Sequence, residues 1–231
     1  MRNLAKAILA CWLALSMPAA ADDNLVVVEL FTSQGCSSCP PADDIFAELA
    51  QRDDVLALAL HVDYWDYIGW ADEFASPAFT ERQKTYARAH DKPSVYTPQM
   101  IVGGRDVLVG VKPMKLADLI QTHEGRAPGV TLSVTREGGL IRIEASNAVR
   151  RAPLVVDLVT YIPRRTVDIS RGENAGRTLD YHNIVASWSR VGTWDGSGVF
   201  SATVTLGGKD PAAVIVQEAG PGAILAASRV R

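Results

Sequence analysis

The chain lacks an excess of charge of either sign. Its 23 Lys and Arg stand against 26 Asp and Glu, a formal net charge of −3, so no basic field exists to hold a phosphate backbone and nucleic acid is excluded as a partner. Cysteine is scarce, 3 residues in 231, too few for a disulfide-rich scaffold. After the first twenty residues no apolar run approaches the ~20 residues that cross a bilayer. Internal repeats, low-complexity tracts, a Gly-rich nucleotide loop and a zincin helix motif are also missing. What remains is 48% hydrophobic and 21% charged, a chain that can bury a core as one large domain or as two of about a hundred residues.

The N-terminus reads as an address. Arg2 and Lys6 precede an uncharged apolar run from Ala7 to Met17, then Pro18 and the small residues Ala19, Ala20 and Ala21. That order predicts a secretory signal peptide over residues 1–21, cleaved before Asp22, and a mature protein that is secreted, into a periplasm, with no membrane span left. Cys11 leaves with the peptide, so the mature chain keeps only Cys36 and Cys39. Export places them where disulfides persist. A bridge enclosing two residues closes almost no loop, so chain-entropy stabilisation is a poor reason for it.

The apolar pattern then divides in two. Leu25–Phe31 and Val55–Val62 read as buried parallel strands. Between them Pro40 and Pro41 fit only the first turn of a helix, continued by Ala42, Ile45, Phe46 and Leu49, which puts the cysteines at a helix N-terminus. The aromatic and acidic stretch Asp63–Asp72 predicts a loop, Ser76-Pro77 a second helix start, Met100–Val109 a hairpin around Gly103-Gly104, and Pro113–His123 a third helix. From Pro128 onward short runs at Val130–Thr135, Leu140–Ala145, Leu154–Tyr161, Val199–Leu206 and Ala213–Gln217 read as strands between turns. The predicted organisation is an α/β (α+β) domain over residues 22–126 followed by an all-β, sandwich-like domain over residues 127–231.

Two sets of residues carry a resemblance. The order strand, helix, strand, helix, strand, strand, helix, with Cys36-Ser37-Ser38-Cys39 after the first strand and Thr97-Pro98 before the third, resembles the thioredoxin fold and its redox motif. The stretches Val28–Asp43, His61–Trp70, Tyr96–Met100 and Arg171–Arg177 resemble a family of secreted bacterial thioredoxin-like proteins of unknown function (domain of unknown function 1223). The resemblance implies a thioredoxin-like first domain and a cis Thr97–Pro98 bond that holds the Thr97 backbone facing Cys36.

The residues themselves predict a chemistry. Helix dipole and unpaired amides lower the pKa of a thiol at a helix N-terminus, so Cys36 is the expected exposed nucleophile and Cys39, less exposed, the resolving thiol. Glu29, on the buried strand, resembles the interior acid of thioredoxins and either shuttles a proton for Cys39 or reaches solvent at the strand edge. His61 and Asp63 end the second strand on the same side of the sheet, and Trp65, Tyr67 and Trp70 line a peptide groove, lid the site or pack. The charged loop Arg171–Arg177 is a solvated turn or an Arg-lined contact between the domains. The leading expectation is a thiol–disulfide oxidoreductase acting on protein or peptide thiols, with a redox partner protein, using Cys36, Cys39, Thr97, Pro98 and Glu29, with His61, Asp63, Trp65 and Trp70 near substrate, and with no cofactor besides the redox-active Cys36–Cys39 disulfide. Two alternatives stand beside it. One is a Cu(I) carrier with Cys36, Cys39, His61 and Met100 as soft donors. The other is a non-catalytic envelope interaction protein.

Overall fold

A computed structural model describes residues 25–127, 129–149, 153–208 and 210–230. The predicted signal peptide lies outside them. The first half runs β1 (Val26–Thr32), α1 (Pro40–Leu49), β2 (Val55–His61), a single 3₁₀ turn at Asp66–Ile68, α2 (Pro77–Ala89), β3 (Gln99–Val102), β4 (Asp106–Val109) and α3 (Pro113–Glu124). These elements match the sequence reading closely, because each carries its own start signal. Pro40 and Pro41 open α1, Lys112-Pro113 opens α3, and the Ser76 hydroxyl caps α2 by accepting from the Ala78 amide at 3.3 Å.

The second half is β5 (Thr131–Glu137), β6 (Leu140–Ser146), β7 (Leu154–Ile169), β8 (Arg177–Trp194), β9 (Phe200–Thr205), β10 (Ala212–Glu218) and β11 (Ile224–Arg229). Here the reading of a separate all-β unit gives way to a shared one. A single mixed sheet of eight strands, ordered β11-β10-β7-β8-β2-β1-β3-β4, runs through both halves, and β5-β6-β9 form a second, antiparallel sheet. The join is parallel and narrow: β8 meets β2 at Ile184 and Ala59, helped by the Asn183 side chain donating to Ala57 O at 3.1 Å. A sandwich does exist, between the small sheet and the distal strands of the large one. Leu132, Ile141 and Ile143 pack there against Val156, Trp194 and Val214. Burying each aliphatic side chain fully contributes about 1.5–3 kcal/mol, so this layer is a core in its own right.

Strand alternation splits the first half into two more cores. Val26, Val28 and Leu30 of β1 face α1 and α3 with Phe46, Leu116 and Ile120, whereas Val27 and Phe31 face α2 with Phe79 and Tyr86. The β7–β8 hairpin is the longest feature. Its base belongs to the sandwich, and its far end carries Val167, Ile169, Tyr181 and Ile184 into a fourth cluster with Trp70 and Phe74. The same sheet therefore brings the hairpin tip to the ends of β1 and β2, where the cysteines lie.

Candidate functional site

After β1 the chain turns through Ser33–Cys39, with the Cys36 amide donating to Ser33 O and the Cys39 amide to Cys36 O, both at 3.2 Å. Cys36 and Cys39 are joined by a disulfide at the N-terminus of α1. Two expectations need correction. Cys36 is not an exposed thiol: neither cysteine has any exposed surface, although Ser37 and Ser38 between them are exposed. Nor does α1 offer a set of free amides, because Pro40 and Pro41 have no N–H and the amides of Ala42 and Asp43 both donate to Cys39 O. The helix dipole remains, and the Ser38 hydroxyl, 3.4 Å from Cys36 Sγ, donates toward that sulfur.

Around the start of α1 lies a buried polar cluster of which the sequence singled out only His61. Asp43, one turn after Cys39 on α1, accepts from the Thr32 hydroxyl at 2.9 and 3.2 Å. Burial pushes its carboxyl up to about 7, although nearby His61 and the Thr32 hydrogen bond pull it down. His61 ends β2 fully buried, with Nδ1 2.7 Å from an Asp72 oxygen that also accepts from the Gln34 amide at 2.8 Å. The His61 Nδ1–H donates to that carboxylate. The ring sits edge-on to Phe74 and Tyr181. Burial and the charges of Asp43 and Asp72 keep the Tyr181 phenol protonated well above its ordinary range. Among the described residues His61 Nε2, Tyr181 OH and Gln34 Nε2 have no hydrogen-bond partner.

Around this cluster the predicted residues separate. Trp65 and Trp70 do reach the site. The Trp65 indole donates to Thr97 Oγ1 at 2.8 Å, the Trp70 indole donates to Gln34 Oε1 at 2.7 Å, and the Thr97–Pro98 bond is cis. Trp65 and Ile68 also explain Gly35, since a β-carbon there would lie 3.1 Å from Trp65 Cβ and 3.2 Å from Ile68 Cδ1. Tyr67 is left 82% exposed, outside any packing role. Asp63 turns instead to α2, where the Thr80 hydroxyl donates to it at 2.5 Å.

Glu29 lies on the opposite face from the one expected for a shuttle to Cys39. Strand alternation points it at α2, where Arg82 Nε donates to one oxygen at 2.6 Å and the Tyr86 hydroxyl to the other at 2.5 Å. Met100, offered as a copper donor, is buried in the α1–α3 core, and among the described residues no group of three His, Cys, Asp or Glu is placed to hold a metal ion.

The loop Arg171–Arg177 makes the contact between halves, but not through arginine. Asn174, buried, donates through Nδ2 to Gln34 O at 2.8 Å and to Cys36 O at 3.0 Å, and a Glu173 oxygen accepts from the Ser37 amide at 3.2 Å. Arg177 holds Asn174 from behind, donating to its Oδ1 at 3.1 Å. The signal in the sequence was the pairing of an Asn with two flanking glycines, Gly172 and Gly176, both of which adopt positive φ here.

No curated protein matches the chain. Among solved structures it is similar to a protein of Agrobacterium tumefaciens, at 35% identity and a TM-score of 0.75, covering 88% of this chain and 92% of that one. HBP35 of Porphyromonas gingivalis is similar in fold alone, at 15% identity and a TM-score of 0.61, with 91% and 76% covered. The model of the family described as protein of unknown function DUF1223 matches residues 27–217, from β1 into β10 and through both cysteines and the Asn174 loop. The chain therefore belongs to the DUF1223 family.

Proposed function

We propose that the chain is an exported thioredoxin-like thiol–disulfide oxidoreductase that acts on protein or peptide thiols through Cys36 and Cys39. The observation that carries this reading is a disulfide at a helix N-terminus, closing a two-residue gap, one helical turn before the buried Asp43 carboxyl, which burial pushes up to about 7. The thioredoxin-like assignment is supported by the strand order β2-β1-β3-β4, with β1 and β2 parallel and β3 and β4 antiparallel, α1 and α3 on one face and α2 on the other.

In one direction a partner thiolate attacks Cys36 sulfur, and the Cys36–Cys39 bond breaks with its electron pair left on Cys39. Cys39 then needs a proton. Asp43, whose amide donates to Cys39 O at 3.2 Å, is the acid in place to supply or receive it, the role first sought in Glu29. The test is to incubate the mature protein, with reduced glutathione as the electron source, with a protein carrying a labile disulfide, using Cys39→Ala to retain mixed disulfides on Cys36. Turnover and a trapped mixed disulfide are expected, and the absence of both removes the proposal.

The burial of both cysteines favours a second reading, a non-catalytic envelope interaction protein whose bridge is inert. It predicts a disulfide that resists millimolar thiol in the folded protein and opens only on unfolding.

A further inference from the structure

We propose that the tip of the β7–β8 hairpin is a lid on the Cys36–Cys39 disulfide, and that Asn174 and Glu173 are positioning residues that must release the Cys loop before a partner thiol reaches Cys36. The inference rests on the oxidoreductase reading and supplies what that reading lacks, a route to a sulfur with no exposed surface.

Three observations converge. Asn174 is 1% exposed, and both of its described Nδ2 bonds go to carbonyls of the Cys loop, those of Gln34 and Cys36. Glu173 takes the Ser37 amide, the N–H immediately after Cys36. The turn that presents these two residues is closed by the Gly176 amide donating to Ile169 O at 2.8 Å. At its other glycine, a β-carbon on Gly172 would come within 3.2 Å of Trp70 Cβ. The tip thus touches the Cys loop and the aromatic loop but has no strand partner there.

The contact has an electrostatic consequence as well as a steric one. Pro40 and Pro41 have already removed two amides from the helix end. Glu173 takes a further donor and sets a carboxylate beside the position where a Cys36 thiolate would form. Closed, the lid both shields the disulfide and opposes the thiolate. Open, it returns the Ser37 amide to the sulfur.

The gated step balances as follows. A thiolate of a partner dithiol forms a bond to Cys36 sulfur, the Cys36–Cys39 bond breaks, and Cys39 leaves with the electron pair and gains a proton. The partner's second thiolate then attacks its own bonded sulfur and releases Cys36 as a thiolate, so two electrons pass to this protein, Cys39 carries the one proton taken up, and the partner becomes a disulfide.

The experiment measures the rate at which dithiothreitol reduces the disulfide in the full mature protein, by quenching with a thiol alkylator and counting labelled cysteines by mass. Asn174→Ala, which removes both bonds to the Cys-loop carbonyls, is expected to accelerate reduction about tenfold, and Glu173→Gln, which keeps an acceptor for the Ser37 amide but removes its charge, about threefold. Glu173→Gln should also shift the ultraviolet thiolate titration of reduced Cys36 to lower pH, which mere loosening of the tip would not do. Glu173 is exposed, so this variant carries the test even if Asn174→Ala unfolds. Reduction rates within twofold of the parent in every folded variant would overturn the lid. If variants are reduced faster yet neither they nor the parent exchange with a protein disulfide, the lid stands and the oxidoreductase reading falls. If the parent turns over and the variants behave identically, only the lid falls.

Discussion

Two buried acids flank the central strands, and they are treated in opposite ways. Glu29, under α2, has both oxygens occupied by Arg82 and Tyr86, while Gln217 bonds both of those partners at 3.1 and 2.8 Å, and the Arg82 guanidinium lies 3.7 Å over the Trp188 ring. Asp43, one helical turn after Cys39, has among the described residues one neutral hydroxyl donor and no cation bonded to it, and the three buried side-chain atoms without partners among those residues all lie on its side. A saturated network fixes geometry. An under-bonded one leaves protons free to move, which is the condition a thiol–disulfide site requires.

The comparison breaks most visibly at Arg82. Arg82→Met leaves Glu29 buried and unpaired, and the expected loss is about 3–5 kcal/mol of folding stability, read from the urea midpoint. A loss under 1 kcal/mol would mean that the network is not what holds α2 to the sheet. The second largest effect has the reverse sign. Because burial raises the Asp43 pKa, folded and unfolded chains both hold its proton below about pH 4. As pH climbs to about 7 the unfolded chain releases it first and stability falls, and above that the folded chain pays in full. Asp43→Asn keeps the Thr32 bond and removes the ionisation, so it should stabilise the protein by about 2–4 kcal/mol at pH 8 and hardly at all at pH 4. A gain independent of pH would show that Asp43 ionises alike in the folded and unfolded chains. In the exchange assay the same variant should be slower, since Cys39 loses its proton partner.

How much of this was legible follows from where each signal lies along the chain. The α/β half was readable from its own residues, because prolines start three helices and Ser76 caps one, and Cys36-x-x-Cys39 stands at a turn between two apolar runs. β8 was not. Its two-residue alternation breaks at Asn183, which has φ of 47°, and Pro163 interrupts the facing strand, so neither half of the distal hairpin reads as a strand. Without β8 the union of both halves in one sheet is invisible, and so is the arrival of Asn174 and Glu173 at Cys36 across more than 130 residues of sequence. Glu29 and Asp43 could be listed as buried-acid candidates, but which of them faces the disulfide depends on which face α1 covers, a fact of packing.

The smaller predictions sharpen the contrast within the site itself. Trp70→Phe keeps the ring beside Gly172 and removes its bond to Gln34 Oε1, so that both polar atoms of a fully buried amide lack partners. The expected cost is about 1–2 kcal/mol in thermal or urea unfolding. It should come with faster reduction of the disulfide, because Gln34 is one of the two carbonyl anchors of the lid. Tyr181→Phe makes the opposite change one ring away. Its hydroxyl has no partner among the described residues to lose, so removing it should leave stability within about 0.5 kcal/mol of the parent or raise it slightly. A loss above 1 kcal/mol on Tyr181→Phe would show that the phenol is bonded after all, through water or through His61 Nε2, and that the polar cluster around the start of α1 is as saturated as the one around Glu29.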